Sequence, residues 1–318
     1  MKDIKIPKNY NYIAVFLTLG CNLKCPYCIN LNEFGSNRAK VFRKPMEAKE
    51  WIEAINRLRI DSSQNLPVTL QGGEPTIHPD FFEIVNGIKD DIKLDLLTNM
   101  MFDVDEFIKN VPVEKFTRDA KYAAIRVSYH PGQNDIDDLI YKHHKMRDAG
   151  FYVGIYSVMT PQNIEHIKEV EKRCIKEGID FRTKEYLGFD GKKWHGKYQS
   201  LDAISQQFYK FCECKTTELL IAPSGHIFRC HSDLYENRVP IGHILYEDFK
   251  IEDIFRPCFV YGHCNPCDVK IKTNRFQEYG HSSVEIKNIR ELDDDELKRL
   301  KNGDNGGGIE NFNYKKAH

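Results

Sequence analysis

The chain has almost no net charge, no long hydrophobic run and no internal repeat. Each absence excludes something. Its 46 Lys and Arg stand against 47 Asp and Glu, so no global field draws it to nucleic acid or to an anionic membrane. No stretch approaches the length that a transmembrane helix needs, so no membrane partner is expected. Behind Met1 come Lys2, Lys5 and Lys8 rather than an apolar segment, so no signal peptide is read and a cytoplasmic location is expected.

Cysteine, by contrast, is plentiful, with 10 in 318 residues. A reducing cytosol keeps thiols free for metals or catalysis rather than disulfides. The cysteines fall into two groups. Three sit at Cys21, Cys25 and Cys28, and six lie between Cys212 and Cys267. Cys174 stands alone on the apolar face of a helical pattern (Ile164, Ile167, Val170, Cys174) and reads as a core residue.

From Asn11 to about Glu185, short apolar runs alternate with longer amphipathic ones. Strands are expected at Tyr12–Thr18, Val68–Gln71, Leu94–Thr98, Ala124–Tyr129, Tyr152–Val158 and Asp180–Glu185. Helices are expected at Met46–Arg59, Asp80–Asp90, Ile136–Ala149 and Asn163–Glu177, with Gly150 and Gly178 stopping the last two. Such alternation implies parallel βαβ units. Six of them make an α/β fold of the open, partial-barrel kind, with reactive residues at the C-terminal ends of the strands. Residues 188–200 read as a linker, and Leu201–Phe211 as a short helix leading into the cysteine-rich region. The expected domains are therefore 1–187, 188–275 and a polar extension, 276–318, that frays from Glu291 onward.

Directly after the first strand comes Cys21-Asn22-Leu23-Lys24-Cys25-Pro26-Tyr27-Cys28. The C-x3-C-x2-C spacing lets one loop present three thiolates to one cluster, whereas a zinc site would want a fourth ligand from a second pair. The segment resembles the signature loop of the radical S-adenosylmethionine (SAM) superfamily. That resemblance implies a partial (β/α)6 barrel in which Cys21, Cys25 and Cys28 hold a [4Fe–4S] cluster and the iron without a protein ligand chelates SAM. Reduction would then yield a 5′-deoxyadenosyl radical that takes a hydrogen from substrate.

Other motifs fit the same family. Gln71-Gly72-Gly73-Glu74-Pro75 resembles the turn that contacts the SAM amino group, with glycines allowing close approach and Glu74 as the side-chain partner. Tyr27, Thr98, Asn99 and Ser128 match other positions expected near SAM. Period 2 places Ile125, Val127 and Tyr129 on one strand face and Arg126, Ser128 and His130 on the other, toward the barrel interior. Arg126, His130, Arg182 and Glu185 are the substrate candidates. No spacing names a catalytic acid, base or radical quencher.

In the second cysteine group, Leu219–Ile221 and His226–Phe228 flank a Pro223-Ser224-Gly225 turn and read as a β-hairpin. Gly225-x4-Cys230 and Cys264-x2-Cys267 resemble the SPASM and Twitch auxiliary-cluster domains. The resemblance implies a second [4Fe–4S] cluster on Cys212, Cys230, Cys264 and Cys267, with Cys214 or Cys258 as the alternative ligand. A structural zinc knuckle is the competing reading.

The function implied is hydrogen abstraction from a small polar metabolite (a sugar, cyclitol or nucleotide) leading to oxidation or epimerisation. An external one-electron reductant such as flavodoxin or ferredoxin would feed the cluster. The alternatives are maturation of a ribosomal peptide and a non-catalytic electron carrier. GTP cyclisation is disfavoured here, because that family has a three-cysteine auxiliary site and a terminal Gly-Gly.

Overall fold

A computed structural model describes residues 2–29, 44–272 and 282–306. Six parallel strands, β1 (Tyr12–Thr18), β2 (Val68–Gly72), β3 (Leu94–Thr98), β4 (Ile125–Tyr129), β5 (Val153–Met159) and β6 (Asp180–Glu185), lie side by side in chain order. The crossovers carry α1 (Ala48–Asn56), α2 (Phe81–Gly87), α3 (Val104–Asn110), α4 (Ile136–Asp148) and α5 (Ile164–Lys176). This is the expected α/β partial barrel, with observed boundaries within about three residues of those read from the sequence. Only α3 lacked a counterpart there.

The strands are apolar because both faces are buried, as in any sheet covered by crossover helices. In β1, Ile13, Val15 and Leu17 face the helices, while Tyr12, Ala14 and Phe16 face the interior. Ile125, Val127 and Tyr129 join the helix-facing core, so β4 presents Arg126 and Ser128 inward as the period-2 pattern requires.

The rest of the chain adds β7 (Lys210–Thr216), β8 (Glu218–Ile221), β9 (His226–Phe228), β10 (Gly242–His243), β11 (Arg256–Tyr261) and β12 (Val284–Glu291). Strand β8 pairs parallel with β1, and β9 and β10 extend the same sheet to nine strands. The hairpin is as expected. Strand β7 instead centres a separate three-stranded sheet between β11 and β12.

Three sequence expectations change here. Leu201–Phe211 is not a helix: Asp202–Ile204 forms one 3-10 turn, and β7 then begins at Lys210. The linker holds a small ladder between Gly188–Phe189 and Trp194–His195. The polar tail does not simply fray, since β12 pairs with β7 and a helix, Asp294–Lys301, follows behind an Asp293 cap. Gly306–Gly308 lies mostly outside the described residues. Among the described residues no helix is long and apolar enough to cross a membrane.

Candidate active site

The Cys21–Cys28 loop leaves the C-terminal end of β1, where the edges of β2, β3 and β4 converge on it. Cys21 is exposed, Cys25 buried and Cys28 intermediate. Burial pushes the Cys25 thiol up to about 12, and the neighbouring Cys28 and Cys21 push the same way. A metal ligating these thiols would displace their protons.

Polar contacts from neighbouring strand ends fix the loop. Asn99 Nδ2 donates to Asn22 Oδ1 at 2.6 Å and lies 3.9 Å from the Cys21 sulfur. Lys24 N donates to Gln133 Oε1 at 3.0 Å. Asn134 ties β4 to β3, donating to Ser128 O at 2.9 Å and to Asn99 O at 3.3 Å. It also accepts the His130 N–H at 2.8 Å. Asn22, Gln133 and Asn134 were not singled out from sequence; Asn22 lies inside the cysteine motif and the other two lie three and four residues beyond His130, in turns where Asn and Gln are ordinary.

The Gly72-Gly73-Glu74 turn differs in detail from expectation. A Cβ on Gly73 would lie 1.9 Å from Gly20 O, and one on Gly72, at φ +140°, would lie 2.0 Å from Thr18 O. The glycines are thus required by the packing of this turn against the cysteine loop. Gly73 N and Glu74 N donate to Thr18 O and Gly20 O at 2.9 and 2.8 Å. The Glu74 carboxylate, 1% exposed, is engaged inside the protein. It accepts from Thr76 N (3.1 Å), Thr76 Oγ1 (2.7 Å), Thr98 Oγ1 (2.9 Å) and Asn99 N (2.6 Å). Burial raises its pKa and these hydrogen bonds oppose the rise. Glu74 therefore ties the strand ends together, with Thr98 and Asn99 as its partners.

On the interior face of β4, Ser128 is half-buried near the strand's C-terminal end. Tyr27 Oη and His130 Nδ1 are 3.1 Å apart. Burial lowers the His130 pKa to about 4, and Lys184 adds to the effect. Arg126 lies deeper than a strand-end ligand would. It is 5% exposed and pairs with Asp95 at 2.9 Å. Arg118 pairs with the same carboxylate at 2.9 Å and also bonds Tyr122. Arg126 and Asp95 are second residues of their strands, so this ion-pair group forms the N-terminal floor of the barrel. Arg182 is likewise held by Asp180, at 2.9 Å, and by Lys121 O. Glu185 ends β6 exposed to solvent.

A cleft opens beside the loop. Pro26, Tyr27, Cys28 and Ile29 from the loop and Cys264, Asn265 and Pro266 from the second cysteine group line it. Tyr186, Leu187, Gly188, Trp194, Ile204 and Gln206 complete the lining. Arg126, His130, Arg182 and Glu185 are not in the lining, so the four substrate candidates do not meet there.

The second cysteine group also differs from expectation. Of the expected set Cys212, Cys230, Cys264 and Cys267, only Cys212 belongs to the tight cluster, which it forms with both alternatives, Cys214 and Cys258. Cys230 and Cys264 lie outside it and pack against the larger hydrophobic cluster that contains the three. Asp268 links the segments carrying Cys230 and Cys267, accepting from His231 N at 2.9 Å and Ser232 N at 3.0 Å. The reason is strand register: Cys258 lies across the ladder from Cys212, and Cys214 shares the Cys212 face of β7.

Several known proteins are similar to this chain. The radical SAM superfamily profile matches residues 15–174. Molybdenum cofactor biosynthesis protein 1 of Bos taurus is 24% identical over 222 residues, covering 63% of this chain and 33% of that protein. GTP 3',8-cyclase of Sulfurovum sp. is 24% identical over 187 residues, covering 57% and 56%. The chain thus spans about a third of the former's length and just over half of the latter's. Streptococcus suis SuiB bound to precursor peptide SuiA aligns with a TM-score of 0.50 at 17% identity, over 78% of this chain and 64% of that one, a likeness of fold. With half of its residues matched by the family profile and the three-cysteine loop at the end of β1, this chain belongs to the radical SAM superfamily and is an enzyme using a [4Fe–4S] cluster and SAM.

Proposed function

We propose that this radical SAM enzyme acts on a small polar metabolite with a planar ring, a nucleotide in the first place, bound in the cleft between the two cysteine groups. The carrying observation is the composition of that cleft. Tyr27, Tyr186 and Trp194 offer aromatic faces, and Gln206 and Asn265 offer amides, with no charged side chain in the lining. Rings stack on planar ligands, while a few placed polar groups set their orientation. A sugar or cyclitol would want more hydrogen-bonding groups than this wall supplies.

Cys21, Cys25 and Cys28 would hold the cluster. Their thiols share one loop, with Cys25 buried and Cys21 exposed so that one side stays open. Bound there, the cluster and SAM would supply the reductive, radical-generating chemistry that removes a hydrogen atom from substrate. The chain's own contribution is positioning. Backbone groups of Gly72 and Gly73, with Thr98, Asn99 and Ser128, would hold SAM, while Glu74 keeps the strand ends in register behind them. Tyr27, steadied by His130, would close one wall of the cleft. An external one-electron donor of the flavodoxin or ferredoxin kind would supply the electron.

The relatives named as a GTP cyclase and a molybdenum cofactor biosynthesis protein lend the nucleotide class support. The test is 5′-deoxyadenosine formation with deuterated nucleotides, sugars, cyclitols and peptides. Acceleration by nucleotides, with deuterium transferred to 5′-deoxyadenosine, is expected. Acceleration by peptides alone would replace this reading with a maturase, and by sugars or cyclitols alone would remove the planar ring.

A further inference from the structure

The C-terminal thiols are packed more tightly than a four-iron cluster requires. Cys212 and Cys214 leave the same face of β7, and their sulfurs are 3.3 Å apart. Cys258 faces them across the ladder from β11, and all three sulfurs lie within 4.8 Å of one another. Among the described residues this is the group of thiol, imidazole or carboxylate ligands gathered so closely.

That spacing discriminates between two kinds of centre. Around one tetrahedral ion with metal–sulfur bonds of about 2.3 Å, ligand sulfurs stand roughly 3.8 Å apart. In a four-iron cubane each thiolate binds a different iron, so its sulfurs stand at outer corners and are further apart. Burial points the same way. Cys212, Cys214 and Cys258 are 0, 4 and 3% exposed, and a structural ion is enclosed by protein ligands on every side. The N-terminal loop serves as an internal control: its three thiols form no such 4.8 Å group, and Cys21 is open to solvent.

We infer that Cys212, Cys214 and Cys258, with Cys264 as fourth thiolate, form a closed site for a single zinc ion. Cys264 stands outside the 4.8 Å group but packs against the buried cluster that contains the trio. Its backbone is pinned by a 2.8 Å hydrogen bond from its N–H to Ala203 O. Cys230 is the rival fourth ligand: it packs against the same cluster, and its sulfur, which caps α6 (His231–Tyr235), accepts the Asp233 N–H at 3.4 Å, a bond that a ligating thiolate can keep. Four thiolates around a divalent ion leave negative charge in a buried place. Arg229, 2% exposed, lies beside Cys258, Cys230 and Cys214 to offset it. Its guanidinium is held by Pro257 O at 2.7 Å and by Asp233 at 2.7 Å.

The site has a structural consequence. It joins β7 to β11 and, through Cys264, fixes the Cys264-Asn265-Pro266 wall of the cleft. Zinc neither gains nor loses electrons, so its role is to hold that wall in place rather than to carry current.

The test is metal analysis of the full chain purified anaerobically. In a Cys21→Ala, Cys25→Ala, Cys28→Ala variant, which lacks the N-terminal ligands, about one zinc and no iron per chain is expected. Cys258→Ser in the otherwise native chain should lose the zinc and keep the N-terminal iron. Should that serine variant not fold, cobalt(II) loading of the triple variant gives an independent reading, expected to show the visible bands of a tetrahedral tetrathiolate. Iron bound in the triple variant, no bound metal, or a cobalt spectrum without thiolate charge-transfer bands would overturn the inference.

Discussion

The two cysteine groups solve opposite problems with the same side chain. The N-terminal group sits on a loop at the open end of a parallel sheet, with one thiol exposed and one buried. The C-terminal group is built into an antiparallel ladder, where register and pleat bring three thiols into one enclosed point. A loop leaves room for a cluster, a cofactor and a substrate. A ladder leaves none, which suits an ion whose only task is to hold strands together. Openness in one place and closure in the other is what divides chemistry from architecture in this molecule.

That contrast can be broken most sharply at the ligands themselves. Cys25→Ala should reduce reductant-dependent 5′-deoxyadenosine formation to background; activity near the wild-type rate would remove the N-terminal loop from the chemistry. Cys258→Ser should cost several kcal/mol of stability, because metal-binding energy at a structural site is folding energy. Denaturant titration measures this, and an unchanged midpoint would show that the second group holds nothing. Gly73→Ala places a methyl 1.9 Å from Gly20 O and should cost about 3 kcal/mol by overpacking, with weaker SAM binding as the turn shifts.

Smaller effects sharpen the comparison. Asn99→Ala frees the cysteine loop from β3 by removing the 2.6 Å bond to Asn22 Oδ1. A loss of about 1.4 kcal/mol, or tenfold in SAM Kd by calorimetry, is expected while the zinc content stays unchanged. His130 should titrate near pH 4 in an NMR titration rather than at its ordinary value of 6.5. Its folded pKa lies below its unfolded one, so the unfolded chain takes up the proton first. Between about pH 6.5 and 4 this group therefore weakens the fold as pH falls, and above 6.5 it has no effect. A midpoint at 6.5 or higher would mean that the Tyr27–His130 contact is exposed.

Much of the barrel was legible because its signals are local. Buried parallel strands read as apolar runs, and Gly150 and Gly178 adopt the left-handed φ of helix ends, +94° and +72°. Strand β7 was hidden. In Lys210-Phe211-Cys212-Glu213-Cys214-Lys215-Thr216 the inward positions are the cysteines, which were read as cluster ligands beyond a helix rather than as the apolar face of a strand. Arg126 shows a second limit. Alternation assigns a residue to the interior face, but depth along the strand decides whether it meets a ligand or, as here, Asp95 in the barrel floor. Glu74 shows a third, because an acid in a ligand-binding turn can equally be consumed by its neighbours' N–H and O–H groups.

By itself the amino-acid sequence determined the radical chemistry and the partial barrel, since three cysteines within one short loop and a repeating strand–helix pattern need no distant partner to be read. Only the tertiary structure decided which C-terminal thiols meet, where Glu74 and Arg126 spend their charges, and what lines the cleft. Those outcomes depend on the register between strands far apart in the chain. Shifting a register by one residue turns every side chain of a strand to its other face, and no local spacing encodes that choice.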